Sequence, residues 1–180
     1  MCSMDSKIKI PWLEVGYTIF SVEGPKGLKI EVLAREVGKS KSSFYHCFAD
    51  LELFIEELLE FHEVKSNEIF KKIQLCENFV PDVFEVLFES KEDAFFSRQL
   101  RINRHLEAYK NCFEKAHKPV EDALFEFWPK AIGLEDKPQL AKMILTLTVD
   151  NFYLRLTEET FTDKGMKSYL DEIIALTKEI

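Results

Sequence analysis

Residues 33–48, Leu-Ala-Arg-Glu-Val-Gly-Lys-Ser-Lys-Ser-Ser-Phe-Tyr-His-Cys-Phe, leave this chain few choices. Leu33, Ala34 and Val37 recur at helical spacing, and Gly38 follows them, where a residue free to take positive φ ends a helix. Ser40 can cap a new helix, because its hydroxyl accepts from orphan backbone N–H groups. Phe44 and Phe48 lie four apart and share an inward face, which leaves Lys41, Ser42, Tyr45 and His46 on the outer side. Two short helices, a glycine turn and a second helix of short polar side chains describe a helix-turn-helix. That second helix has the chemistry of a groove reader. Lysine neutralises phosphate, serines reach phosphates or base edges, and a tyrosine hydroxyl can donate to the backbone.

The same run resembles the TetR/AcrR family of bacterial transcriptional regulators. The shared pattern is Leu33-Ala34, then Gly38, then Ser40-Lys41, then Phe44-Tyr45 and Phe48, followed by a small linker and an amphipathic helix. It extends back to Trp12 and forward to about Leu59, roughly the first third of the chain; beyond it only a compatible all-helical pattern remains. The resemblance implies an all-α, TetR-like protein. Residues 1–49 would form a three-helix helix-turn-helix head, and 50–180 a helical-bundle body for effector binding and dimerisation. It further implies a homodimer through the last two long helices, paired as a four-helix bundle across a two-fold axis. Two recognition helices would then enter major grooves of double-stranded DNA about 34 Å apart, on a pseudo-palindromic operator. A small-molecule effector in the body would release the DNA, with repression the family's usual mode. On this reading Lys29, Lys39, Lys41 and Tyr45 hold phosphates, and Ser42, Ser43 and His46 approach base edges. Three positions depart from the family pattern. Lys29 stands where Ser or Thr usually caps the second helix, and it cannot cap. Lys39 occupies a turn position that is usually a small hydrophobic. Leu51 replaces a lysine that grips phosphate in many members.

Charge sharpens this division. The chain carries −8 overall, but residues 1–50 hold seven Lys/Arg against six Asp/Glu, so the head is +1 and the remainder −9. A near-neutral head with a weakly basic tip predicts modest affinity for DNA and a steep loss with salt. With 46% hydrophobic and 31% charged residues, the composition is that of ordinary soluble globular protein. No apolar run approaches the eighteen or so residues of a membrane span. The opening Met-Cys-Ser-Met-Asp-Ser has no charged-then-apolar leader, so a cytoplasmic location and no membrane partner are expected. Cys2, Cys47, Cys76 and Cys112 are widely spaced, with no Cys-x-x-Cys and no zinc spacing; reduced thiols are expected. Cys47 reads as a small semi-buried residue, or alternatively as a redox sensor beside the DNA surface.

Along the chain, Pro11 and Trp12 are expected to open the first helix, with Trp12, Val15, Ile19 and Phe20 inward. Gly16 in its middle costs about 1 kcal/mol against alanine, which close helix packing would explain. Gly24-Pro25 ends it, and a second helix runs from Ile30 to Val37. Asp50 caps a fourth helix reaching about Leu75, with Leu51, Phe54, Ile55, Leu58 and Leu59 on one stripe. Pro81 starts a short apolar helix. A long helix is expected from Glu92 to His117, with Phe96, Leu100, Leu106, Tyr109 and Phe113 inward, then one from Val120 to Trp128. Helices over Gln139–Glu159 and Met166–Ile180 follow, separated by a Thr162–Gly165 turn.

Candidate chemistry is sparse. Arg101, His105 and Tyr109 would share a face of one continuous helix, and could bind a polar effector or form a solvated polar stripe. Sixteen phenylalanines read as plain core or as the lining of an apolar effector pocket. The pocket candidates are Phe84, Phe88, Phe95, Phe96, Arg101, His105, Tyr109, Trp128 and Phe152. His62, His105 and His117 are scattered without metal-ligand spacing. Adjacent carboxylates at 56–57, 158–159 and 171–172 point about 100° apart and make poor acid/base pairs. No phosphate loop or nucleophile elbow is present, so no cofactor, metal or catalytic residue is expected. Two alternatives remain open. One is a helical ligand-binding or interaction module whose head no longer binds DNA; the other is an all-α enzyme built on the aromatic cavity.

Overall fold

The computed structural model describes residues 3–179. Cys2 and Ile180, named in the sequence reading, lie outside them. Every regular element among the described residues is helical: α1 (Ser3–Glu23), α2 (Ile30–Val37), α3 (Lys41–Cys47), α4 (Leu51–Ile73), α5 (Phe84–Glu89), α6 (Lys91–Ile102), α7 (Glu107–Phe125), α8 (Trp128–Ala131), α9 (Pro138–Arg155) and α10 (Asp163–Thr177). A short 3₁₀ turn, Gly24–Gly27, joins α1 to α2.

Local chemistry sets the boundaries of the head helices. Gly38 sits at φ 70°, where its N–H closes the end of α2. Ser40 accepts from the Ser43 N–H and starts α3. Asp50 accepts from the Leu53 N–H and starts α4. Lys29 precedes α2 without a side-chain cap.

Two prolines lie inside helices: Pro11, expected to open the first helix, and Pro119, which falls in the break expected between His117 and Val120. Pro11 is within α1, which starts eight residues earlier than Pro11, and Pro119 is within α7, which runs past it to Phe125. Each removes one ladder N–H. The carbonyls thereby freed belong to Lys7 and Lys115, both exposed, where water can take over. The single helix expected over Glu92–His117 is two helices. The Asn103 side chain donates to the Gln99 carbonyl at 2.9 Å and closes α6, a local bond that competes with the helical ladder. Leu106 is extended and 44% exposed rather than inward. The C-terminal helices also shift. α9 ends at Arg155, and residues 163–165 form the first turn of α10, capped by Thr162.

The head core is aromatic. Trp12 meets Phe44 edge-on at 5.4 Å, and Phe54 packs on Phe44 and Phe48 at 5.6 and 5.0 Å. Gly16 is where α1 and α4 touch: a Cβ there would stand 2.4 Å from Phe54 Cζ. Phe54 is fully buried between the rings of Phe44 and Phe48 and cannot swing aside. Gly16→Ala is therefore expected to destabilise by about 1–3 kcal/mol, against the roughly 1 kcal/mol that helix propensity would add. A denaturant titration in which the variant gained stability would show that the contact yields.

This core does not stop at α4. Phe96 and Leu100 of α6, and Tyr109 and Cys112 of α7, belong to the same buried cluster. A second cluster fills the body between α4, α7, α8, α9 and α10. A third gathers Phe84, Tyr153, Leu156, Phe161 and Met166.

Candidate functional site

The outer face of α3 and its flanking turns form the first candidate surface. Lys29, Lys39, Lys41, Ser42 and His46 are exposed, and Tyr45 is 55% exposed with its ring edge-on to Phe44. Ser43 differs: it is half-buried, and its hydroxyl stands 3.0 Å from that of Ser40, inside the cap. Lys41 Nζ lies 2.5 Å from Glu31 Oε1. That hydrogen bond holds the Glu31 carboxyl below its usual range. The pair is exposed, so it is weak and screened by salt, and a phosphate can compete for the lysine. Leu51 is half-buried against the head core, which accounts for an apolar residue there.

The second candidate is a cavity of about 90 Å³ in the body. Phe84, Trp128 and Phe152 line it, together with His117, Tyr153 and Met166 among others, and none of its lining residues is charged. The other pocket candidates lie elsewhere. Phe88 packs on Phe84 and Phe161 behind the wall, and Phe95 packs on Phe161. Phe96 and Tyr109 are in the head core, where Phe96 stacks on Tyr17 at 4.3 Å and Tyr109 meets Phe20 at 5.6 Å. Arg101 forms a two-pronged bond to Asp150, both prongs at 2.8 Å, which ties the end of α6 to α9. It draws the Asp150 carboxyl down and is itself pushed up. His105 is exposed in the break between α6 and α7. The trio Arg101, His105 and Tyr109 is therefore not one face, because the helix that would have aligned it is interrupted.

Between these two regions lies a buried polar group the sequence reading missed. Tyr17 of α1 donates to Asp93 Oδ1 of α6 at 2.6 Å, and its oxygen is 2.6 Å from His62 Nδ1 of α4. His62 Nε2 is 3.2 Å from Ser97 Oγ and 3.5 Å from Ser66 Oγ. The His62 ring stacks on Phe96 at 4.4 Å, and Lys65 Nζ is 3.8 Å from Asp93. Burial pushes His62 down to about 3, so it is neutral. Burial raises the Asp93 carboxyl, against the pull of Tyr17 and Lys65. Burial and Asp93 both raise Tyr17. Of this group the sequence reading named only His62, as one of three scattered histidines without metal-ligand spacing; Tyr17, Asp93 and Ser97 carried no signal of their own.

Among the described residues no group of three or more His, Cys, Asp or Glu could hold a metal ion. No helix there is long and apolar enough to cross a membrane.

A glycine-ended α2 and a serine-capped α3 on an all-helical body define a helix-turn-helix fold, and its backbone has counterparts among solved structures. It is the fold of TetR-family transcriptional regulators. A protein described as a TetR-family transcriptional regulator from Mesorhizobium loti MAFF303099 aligns at TM-score 0.53 and 14% identity, over 97% of this chain and 98% of that one. A second described in the same way, from a Rhodococcus species, aligns at 0.54 and 16%, over 97% and 98%. A transcriptional regulator from Streptomyces coelicolor A3(2) aligns at 0.59 and 14%, over 95% and 98%. No protein-family model and no curated protein matches the sequence.

Proposed function

We propose that this chain is a sequence-specific DNA-binding transcriptional regulator, a cytoplasmic homodimeric repressor released by a small molecule bound in the body. The observation that carries this reading is the outer face of α3. Lys41, Ser42, Tyr45 and His46 stand exposed on a helix whose other face, Phe44 and Phe48, is locked into the core. Lys29 and Lys39 flank it to hold phosphates. The dimer reading rests on α9, where Met143, Leu147 and Leu154, each more than half exposed, recur at helical spacing, with Leu176 exposed on α10. A second copy would cover them. The effector reading rests on the uncharged aromatic cavity, whose wall includes α9 and α10. Division of labour falls near residue 50, head to DNA and body to effector and partner.

Selection from random duplexes by the purified protein, at low and at moderate salt, tests this. The expected result is a pseudo-palindrome whose enrichment survives added salt. Lys41→Ala and Tyr45→Ala should each weaken binding to it by about tenfold, the loss of one charge-assisted or backbone-positioning contact, with unfolding unchanged. The neutralising Glu31–Lys41 pair favours one other reading, a helical interaction module with a silent head. No enriched motif, and no effect of either substitution, would establish that instead.

A further inference from the structure

A surface groove of about 480 Å³ runs between α7 and α9 and reaches the break between α6 and α7. Residues three and four apart on α7 share one face, and that face forms one wall of the groove. At its base Phe113 and His117 are half-buried, their rings stacked at 5.1 Å and 10° apart in plane, and both meet Tyr153 edge-on at 5.5 Å. Burial holds His117 down to about 4, so this aromatic floor carries no charge at neutral pH. His117 also lines the aromatic cavity of the body, and its ring is the partition between the two spaces.

The charges around that floor do not cancel. Four cations, Arg101, Arg104, Lys110 and Lys118, line the groove with three carboxylates, Glu114, Glu121 and Asp150. That is a surplus of one positive charge in a body that sums to −9. Two of the carboxylates already have close partners. Asp150 takes both prongs of Arg101, and Glu121 accepts from Lys142 Nζ at 3.2 Å and from the Thr146 hydroxyl at 2.9 Å. Lys118 is turned to Asp122. Glu114 meets only Lys110, at 3.9 Å, with both side chains more than half exposed, and such a pair is worth little. Arg104 is exposed in the break and makes no ion pair or hydrogen bond among the described residues.

We propose that this groove is a binding site for an aromatic carboxylate, with the carboxylate held by Arg104 and Lys110 and the ring packed against Phe113 and His117. The site is separate from the aromatic cavity, and the inference goes beyond the regulator reading without resting on it. A guanidinium presents a planar fork of donors that matches a carboxylate, and a lysine adds a point charge. At about 480 Å³ the space exceeds the roughly 150 Å³ that holds benzene, and its exposed rim opens it to solvent. The aromatic cavity offers such a ligand neither a cation nor the room, at about 90 Å³ with no charged residue in its lining.

Titration of the full chain with benzoate, benzamide and acetate, followed in ¹H–¹⁵N amide spectra, tests this. Benzoate is expected to saturate with a dissociation constant on the order of 1 mM, and to shift amides within residues 104–121 and at Thr146 and Asp150. Benzamide, with the shape but not the charge, and acetate, with the charge but not the ring, should each bind at least about tenfold more weakly. Arg104→Gln should bring benzoate down to the level of benzamide with thermal unfolding unchanged, since no partner in the fold holds that side chain. Glu114→Gln should tighten benzoate by about two- to threefold, because it releases Lys110 and removes a like charge. Shifts confined to the aromatic cavity, benzamide binding as tightly as benzoate, or native-like benzoate binding by Arg104→Gln overturns the proposal. So does the absence of binding, the result expected if a second copy seated on α9 covers the groove.

Discussion

Phe96→Ala is expected to cost about 3–5 kcal/mol and to lower the unfolding midpoint by roughly 10 °C or more. Phe96 is fully buried, with Tyr17 stacked on one side, His62 close at 4.4 Å and Phe20 at 4.3 Å. Its loss leaves a cavity walled by three rings that are themselves held by hydrogen bonds or packing, so collapse around it is poor. Thermal unfolding followed by circular dichroism measures the cost. A variant of near-normal stability would mean that the surrounding rings close over the space that Phe96 leaves.

Acid should weaken the fold over a defined window. Burial lowers His62 to about 3 in the folded chain, while the unfolded chain titrates near 6.5. Between those values the unfolded state binds more protons, so stability is complete above about pH 6.5 and falls as pH drops toward 3. At pH 4.5 the loss is about 2–3 kcal/mol from His62. His117, lowered to about 4 by burial, acts in the same direction. Asp93, raised by burial, offsets part of it, because the folded state takes up its proton first. Urea titrations at pH 7.5 and 4.5 should show this drop in the native chain. In His62→Gln the drop should be clearly smaller, from a lower starting stability. Equal drops in the two proteins would mean that His62 is already charged in the folded state.

The head was legible because its determinants are local. Gly38, Ser40 and Asp50 act on N–H groups within three residues, and Phe44 and Phe48 share a face by helical geometry alone. The last helix was equally clear, with Met166, Ile173 and Thr177 buried as their spacing predicts. What periodicity cannot supply is the partner of a buried face. Phe96 and Tyr109 were correctly inward, yet they complete the head core rather than the body cavity. A single side-chain bond from Asn103 interrupts a pattern that otherwise reads as one helix, and with it the apparent Arg101–His105–Tyr109 face. The Tyr17–His62–Asp93 group joins residues 45 and 76 positions apart, a juxtaposition that only the folded chain brings about. Of the cavity candidates, Phe84, Trp128 and Phe152 were found from aromatic content; His117 and Tyr153, which give the site its polarity, were not.

The shared core of α1, α4, α6 and α7 sets a rule for building chimaeras. Joining residues 1–49 to a foreign body would strip Trp12, Tyr17, Phe20 and Phe44 of the α4, α6 and α7 side chains that cover them. To give the exposed face of α3 a different chemistry, the graft has to leave α1 in place and exchange only the solvent-facing positions of α3 and its flanking turns.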